Sequence, residues 1–270
     1  MSIVSEATGI FGLFGKGWDW LKDRLDPTRL SAKRLIAAFE SHGVARQQII
    51  RLIPPHVLQT KPEVSMADFS SPKKLKSKLS PPLLDWAAQY LNLKRAWLDG
   101  VDELPHHVVD RYKRPAEYRS WLEERQVNAP LASRWISVWK TKGQSMGPGG
   151  DGPLCLVYEE TSDGLDGMEF SRYWLLSDEW SLHHSPCIEN MVAATVVARS
   201  MSILVTGRDV PLDKLRRVVA GTMLIPDAAR YRTGGWHPED IADPLPREDS
   251  EWRRAIRKGA HAWLARDDHA

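Results

Sequence analysis

The feature that most constrains this chain is a change of hydrophobic period near Pro130. Before it, apolar residues recur every three or four positions, and after it they alternate. One backbone geometry cannot serve both patterns, because helical side chains share a face at i, i+3 and i+4 and strand side chains at i and i+2. The first part therefore predicts helices. In the second part SRWISVWKT, PLCLVYEE and MEFSRYWLLSDEW predict antiparallel strands, separated by the turns GPGGDG and SDGLDG. The expected fold class is α+β: an all-α module followed by a small α+β module with an antiparallel sheet. The expected segments are an amphipathic arm over 1–30, a helical domain over 31–128 and an α+β domain over 129–270.

Within the helical part, prolines and glycines set the boundaries. TGIFGLFGKGWDWLKDRL carries Ile10, Phe14, Trp18, Leu21 and Leu25 on one face, and Pro27 is expected to end that helix. Ser31 is a candidate cap for SAKRLIAAFESH, which stops at Gly43; ARQQIIRLI follows and ends at Pro54–Pro55. Residues 56–80 read as loop. Ser80 with Pro81 and Pro82 opens a helix carrying Leu83, Leu84, Ala87, Ala88 and Leu91 inward, Asn92 breaks it, and Gly100 ends a short last helix. Further on, IENMVAATVVARSMSILV reads as a buried helix, PLDKLRRVVAGTML and EWRRAIRKGAHAWLA as helices, and RTGGWHPEDIADPLPRED as an irregular connection.

A net charge of +2 conceals an uneven distribution. Residues 28–78 hold 10 basic and 3 acidic side chains, enough to attract a polyanion such as a nucleic-acid backbone. Two cysteines, Cys155 and Cys187, exclude a disulfide framework and fit a reducing compartment, so a cytoplasmic setting is expected. No apolar run is long enough to span a membrane and no basic leader precedes the first apolar patch.

The stretch ESHGVARQQIIRLIPP combines that charge with a sharp turn. A helix-turn-helix needs a glycine at positive φ in the turn and apolar residues six and nine positions later; Gly43, Ile49 and Leu52 meet that spacing. Turning Ile49 and Leu52 inward leaves Arg46, Gln47, Gln48 and Arg51 outward, side chains able to read guanine and adenine edges in a major groove. With LLDWAAQYLNLKRAWLDG supplying the closing helices, residues 31–100 resemble lambda-repressor-like (Cro-type) DNA-binding domains. Two departures stand out: Phe39, where the family has a small residue four before the glycine, and the lysine-bearing insertion 56–80. The resemblance implies a recognition-helix role for Arg46, Gln47, Gln48 and Arg51, and phosphate contacts from Lys73, Lys74, Lys76 and Lys78. It further implies a bacterial-type transcription regulator, a homodimer on a pseudo-palindromic double-stranded operator, with a second domain that dimerises or senses a small-molecule effector. The competing reading is a helical module that binds another protein.

Other chemistry is weakly indicated. Gly143, Ser145, Met146 and Pro148 have a slight similarity to the nucleophile motif of self-cleaving repressor peptidases, but no lysine follows Ser145 until Lys214, on a helix. His183, His184, Cys187 and Glu189 are close in sequence, yet adjacent histidines on a strand face opposite ways. No catalytic residues, metal site or cofactor are therefore expected. The abundance of tryptophan (twelve in the chain), together with period-two strands, suggests an aromatic-lined sheet, serving as core, dimer surface or pocket.

Overall fold

The computed structural model describes residues 26–164, 167, 169–244 and 249–267, so the helix expected over 8–25 lies outside it. The chain forms two compact units, Met1–Pro105 and His106–Ala270. The division falls earlier than the expected 128/129 boundary. Tyr118 and Leu122 are the reason: both are buried in the core of the second unit, which claims the helix that carries them.

In the first unit, α1 (Pro27–Ser41) begins earlier than expected. Asp26, not Ser31, is its cap, accepting from Arg29 N at 3.0 Å, and Pro27 opens this helix. Ser31 lies inside the helix and donates to the Pro27 carbonyl. Next come α2 (Arg46–Leu52) and α3 (Pro55–Leu58). Residues 56–80 are more ordered than a loop, with 3-10 turns at Asp68–Ser70 and Lys76–Lys78 on either side of α4 (Pro72–Leu75). Phe69 and Leu75 anchor this segment in the core, apolar residues that lysine-rich surroundings obscure in the sequence. Two more helices, α5 (Pro81–Leu91) and α6 (Arg95–Leu98), close the unit.

Three helix ends use one hydrogen-bond scheme. After α1, Gly43 N donates to Glu40 O and Val44 N to Phe39 O; after α5, Asn92 N to Gln89 O and Leu93 N to Ala88 O; after α6, Gly100 N to Trp97 O and Val101 N to Ala96 O. Gly43, Asn92 and Gly100 each take the positive φ that this closure requires.

The second unit is a sheet of order β3-β2-β1-β4-β5. The strands are β1 (Ser133–Thr141), β2 (Leu154–Asp163), β3 (Glu169–Leu175), β4 (Leu204–Val210) and β5 (Thr233–Trp236). The sheet is mixed, not wholly antiparallel as expected: β1 runs parallel to β4, while β1–β2, β2–β3 and β4–β5 are antiparallel. The parallel pair follows from α8 (Ser185–Ser200), which carries the chain back across one face after β3. The next strand then enters in the direction that β3 and β1 share. The sequence ILV, expected as helix, instead leads into β4; Ser202 at positive φ breaks the helix, and so short an apolar run has no period of its own. β5 was likewise hidden in an apparent irregular connection.

One sheet face packs Ile136, Val138, Leu156, Tyr158 and Val205 against α7 (Pro115–Asn128), α8, α11 (Glu239–Ala242) and α12 (Glu251–Asp267). Where α12 passes α8, a Cβ on Gly259 would meet the Glu189 carboxylate at 2.3 Å. The opposite face packs Trp139, Cys155, Val157, Tyr173 and Val210 against α9 (Leu212–Val219) and α10 (Ile225–Ala229). Adjacent acids on β2 thus go to opposite faces. Fully buried Glu160 pairs with Arg125 at 2.8 Å and Arg172 at 3.1 Å, whereas Glu159 accepts from Tyr173 Oη at 3.1 Å and faces Arg232 at 3.6 Å. Among the described residues no helix is long and apolar enough to cross a membrane.

Candidate nucleic-acid interface

The turn between α1 and α2 is fixed from both sides. Val44, Phe39 and Ile49 are buried, so the turn and the inner face of α2 belong to the core. Leu52 is only half-buried, and Ile53, one residue later, is the second deeply buried contact. Phe39 occupies the position where a small residue was expected. Its ring stacks with Trp86 at 5.6 Å and Tyr90 at 6.3 Å, while its carbonyl accepts the hydrogen bond that closes α1. The bulk is accommodated sideways, between α1 and α5.

With Ile49 and Ile53 inward, Gln47 and Arg51 are exposed on the outer face of α2 and Gln48 is half-buried beside them. Gln48 is partly committed: its Oε1 accepts from Ala45 N at 3.1 Å, capping the helix that begins there. Arg46 lies on the flank. Its Nε donates to Glu40 at 2.7 Å and its Nη1 to the Ser70 carbonyl at 2.9 Å, tying the start of α2 to the turn before α4. The hydrogen bond that Arg46 donates to Glu40 holds the guanidinium even more firmly charged than usual. This geometry gives Arg46 a bracing role as well as a charge.

The same brace sets the lysine-bearing segment beside α2. Lys73 and Lys74 are exposed, Lys76 and Lys78 half-buried. Lys76 Nζ donates to Asp26 at 2.6 Å, which draws the Asp26 carboxyl below its ordinary range. Part of the positive excess is therefore spent internally. Arg34 also turns inward, donating to the Trp97 and Asp102 carbonyls with its guanidinium 5.1 Å from the Trp97 ring centre. Glu40, Ser70 and Asp26 are the partners that sequence reasoning missed. Ion pairs six or 50 residues apart leave no local signature.

The weaker sequence signals are dispersed. Ser145 Oγ accepts from Gly147 N within a turn, and Lys214 pairs with Asp213 while its Nζ lies over the Tyr231 ring. His183 and His184 are exposed and Cys187 is buried. Among the described residues no group of three or more His, Cys, Asp or Glu is arranged to hold a metal ion. No family model, curated protein or solved structure matches the chain.

Proposed function

We propose that residues 26–105 bind double-stranded DNA, with α2 entering the major groove and the Lys73–Lys78 segment on the phosphate backbone. The observation that carries this is the positive-φ turn at Gly43, which holds α2 by Ile49 and leaves Gln47 and Arg51 outward next to a lysine-bearing segment. Gln47 and Arg51 are then the base readers, Lys73 and Lys74 the phosphate contacts, and Arg46 the brace that sets the two elements side by side. Gln48, Lys76 and Lys78 add contacts from the edge of the surface. In this proposal the chain is a cytoplasmic transcription regulator of bacterial type. It acts as a homodimer on a pseudo-palindromic operator, and its second unit dimerises or senses a small molecule.

Selection of bound duplexes from random sequence is the test, and an inverted repeat is expected. Gln47→Ala and Arg51→Ala should each lose about 10-fold or more for the selected duplex and relax preference at one position. Lys73→Gln with Lys74→Gln should weaken all duplexes alike and lower the salt dependence by about two counterions. Sequence-blind binding that vanishes at moderate salt, with Gln47→Ala and Arg51→Ala silent, refutes the proposal in favour of a module that binds another protein.

A further inference from the structure

The sheet face beneath α9 and α10 is covered at one end only. Strand register places Trp135, Glu159 and Leu204 in one row across β1, β2 and β4, with Thr206 and Arg208 two and four residues further along β4. The helices cover Trp139, Cys155 and Val157 and leave Trp135 and Leu204 of that row uncovered, with Glu159 buried between them and the neighbouring strand. Arg232 and Thr233 flank one side of the resulting open groove, which has a volume of about 550 Å³. That volume is in the range of small-molecule sites.

Its floor has two characters. Trp135 is half-buried and Leu204, its neighbour in the pairing at the start of β4, is 62 % exposed, which makes an apolar strip on the sheet. Beyond it stand two guanidinium groups. Arg232 is held by the Ala229 carbonyl at 3.0 Å and by Glu159. Arg208 donates to the Gly234 carbonyl at 3.3 Å, and among the described residues it has no acidic partner. Glu159 is already matched by Arg232 and the Tyr173 hydroxyl, so the groove keeps one uncompensated positive charge. The edge strand explains why that charge remains accessible. In TGGW, a Cβ on Gly235 would come within 3.1 Å of Arg208 Nη1, so glycine at that position keeps the strand out of its way. Glycine within a strand commonly marks such a close approach.

We propose that this groove binds a small planar organic oxyanion, a carboxylate or phosphate monoester, with the anion on Arg208 and Arg232 and the flat body on Trp135 and Leu204. A guanidinium fork matches either oxyanion. The site lies wholly in the second unit and does not rest on DNA binding by residues 26–105.

The test uses the full chain and three probes that share a phenyl ring: benzoate, phenyl phosphate and neutral benzamide. The readout is the Trp135 indole N–H resonance, assigned by its loss in Trp135→Phe. Benzoate or phenyl phosphate should shift it saturably with a Kd of about 1 mM, and benzamide should bind at least about 10-fold more weakly. Whichever anion binds more tightly identifies the oxyanion. Arg208→Met should weaken the anion about 10-fold with the melting midpoint unchanged, and Thr206→Trp should fill the groove and abolish binding with every charge retained. No shift up to about 20 mM, equal binding of benzamide, or full affinity in Arg208→Met overturns the proposal. So does displacement of either anion only by single-stranded oligonucleotide at far higher affinity, which would make the groove a nucleic-acid surface.

Discussion

Replacing Phe39 by alanine tests the structural basis of the turn. Alanine is the kind of residue expected four before the turn glycine, so a reading from motif alone has the change neutral or favourable. The structure says otherwise. Phe39 is completely buried, its ring planes lie at 22° and 29° to those of Trp86 and Tyr90, and its carbonyl accepts from Val44 N. Truncating a core phenylalanine costs about 3–5 kcal/mol. Trp86 and Tyr90 are half-exposed and can close over part of the gap, which favours the lower end, about 3 kcal/mol. A unit of this size carries roughly 4–12 kcal/mol in all, so the variant folds with much of its margin gone. Native-state hydrogen exchange reads the first unit by itself: the slowest amides of Leu35–Phe39 and Ala87–Leu91 should exchange about 100-fold faster, and Phe39→Leu should recover most of the protection. An acceleration below about fivefold would mean that the ring stack is not what spaces α1 from α5.

Four further outcomes follow from the same geometry. Gly43→Ala should cost about 1 kcal/mol, because φ is +82° but no atom lies within 4 Å of the added Cβ; a stabilised variant would show that the turn is not left-handed. Gly207→Ala would set a Cβ 2.1 Å from the Trp236 ring, so a loss of about 2–3 kcal/mol is expected, and a double-mutant cycle with Trp236→Ala should recover most of it. Glu160→Gln leaves two guanidinium groups facing a neutral buried amide and should lower stability by about 3 kcal/mol in urea titration, whereas a change below about 1 kcal/mol would mean that the cluster relaxes without cost. His42, whose Nδ1 lies 2.8 Å from the Ala38 carbonyl, is held neutral by burial, its pKa lowered to about 4 from 6.5. Below pH 6.5 the unfolded chain takes up a proton that the folded one refuses, so stability falls as pH drops from 6.5 towards 4, by about 3 kcal/mol, and His42→Gln should flatten that slope.

Helix ends were the most legible part of the chain. Gly43, Asn92 and Gly100 announce themselves because few residues accept positive φ, and Ser80 with Pro81 and Pro82 marks a helix start by donor chemistry alone. The start of α1 was misread because Pro27 fits both the end of one helix and the first turn of another. At the candidate interface the sequence identified Gln47 and Arg51 as outward residues of α2, since Ile49 fixes the rotation of the helix, while Arg46 and Gln48 are half-buried and Ile53 takes the inward place expected of Leu52. It did not reveal that Glu40 and Ser70 hold Arg46, or that Asp26 holds Lys76. The groove in the second unit left only one local trace, Gly235 of TGGW.

By itself the sequence determined the α+β order of the chain and the glycine turns, because period, capping and positive φ are properties of a few neighbouring residues. The tertiary structure alone decided the rest. It assigned residues 106–128 to the second unit, made β1 and β4 parallel, sent Glu159 and Glu160 to opposite faces, and left one end of a sheet face open beside Arg208. Each of those depends on which distant segments meet, and an ion pair or a strand pairing costs the sequence nothing to conceal until the chain has closed on itself.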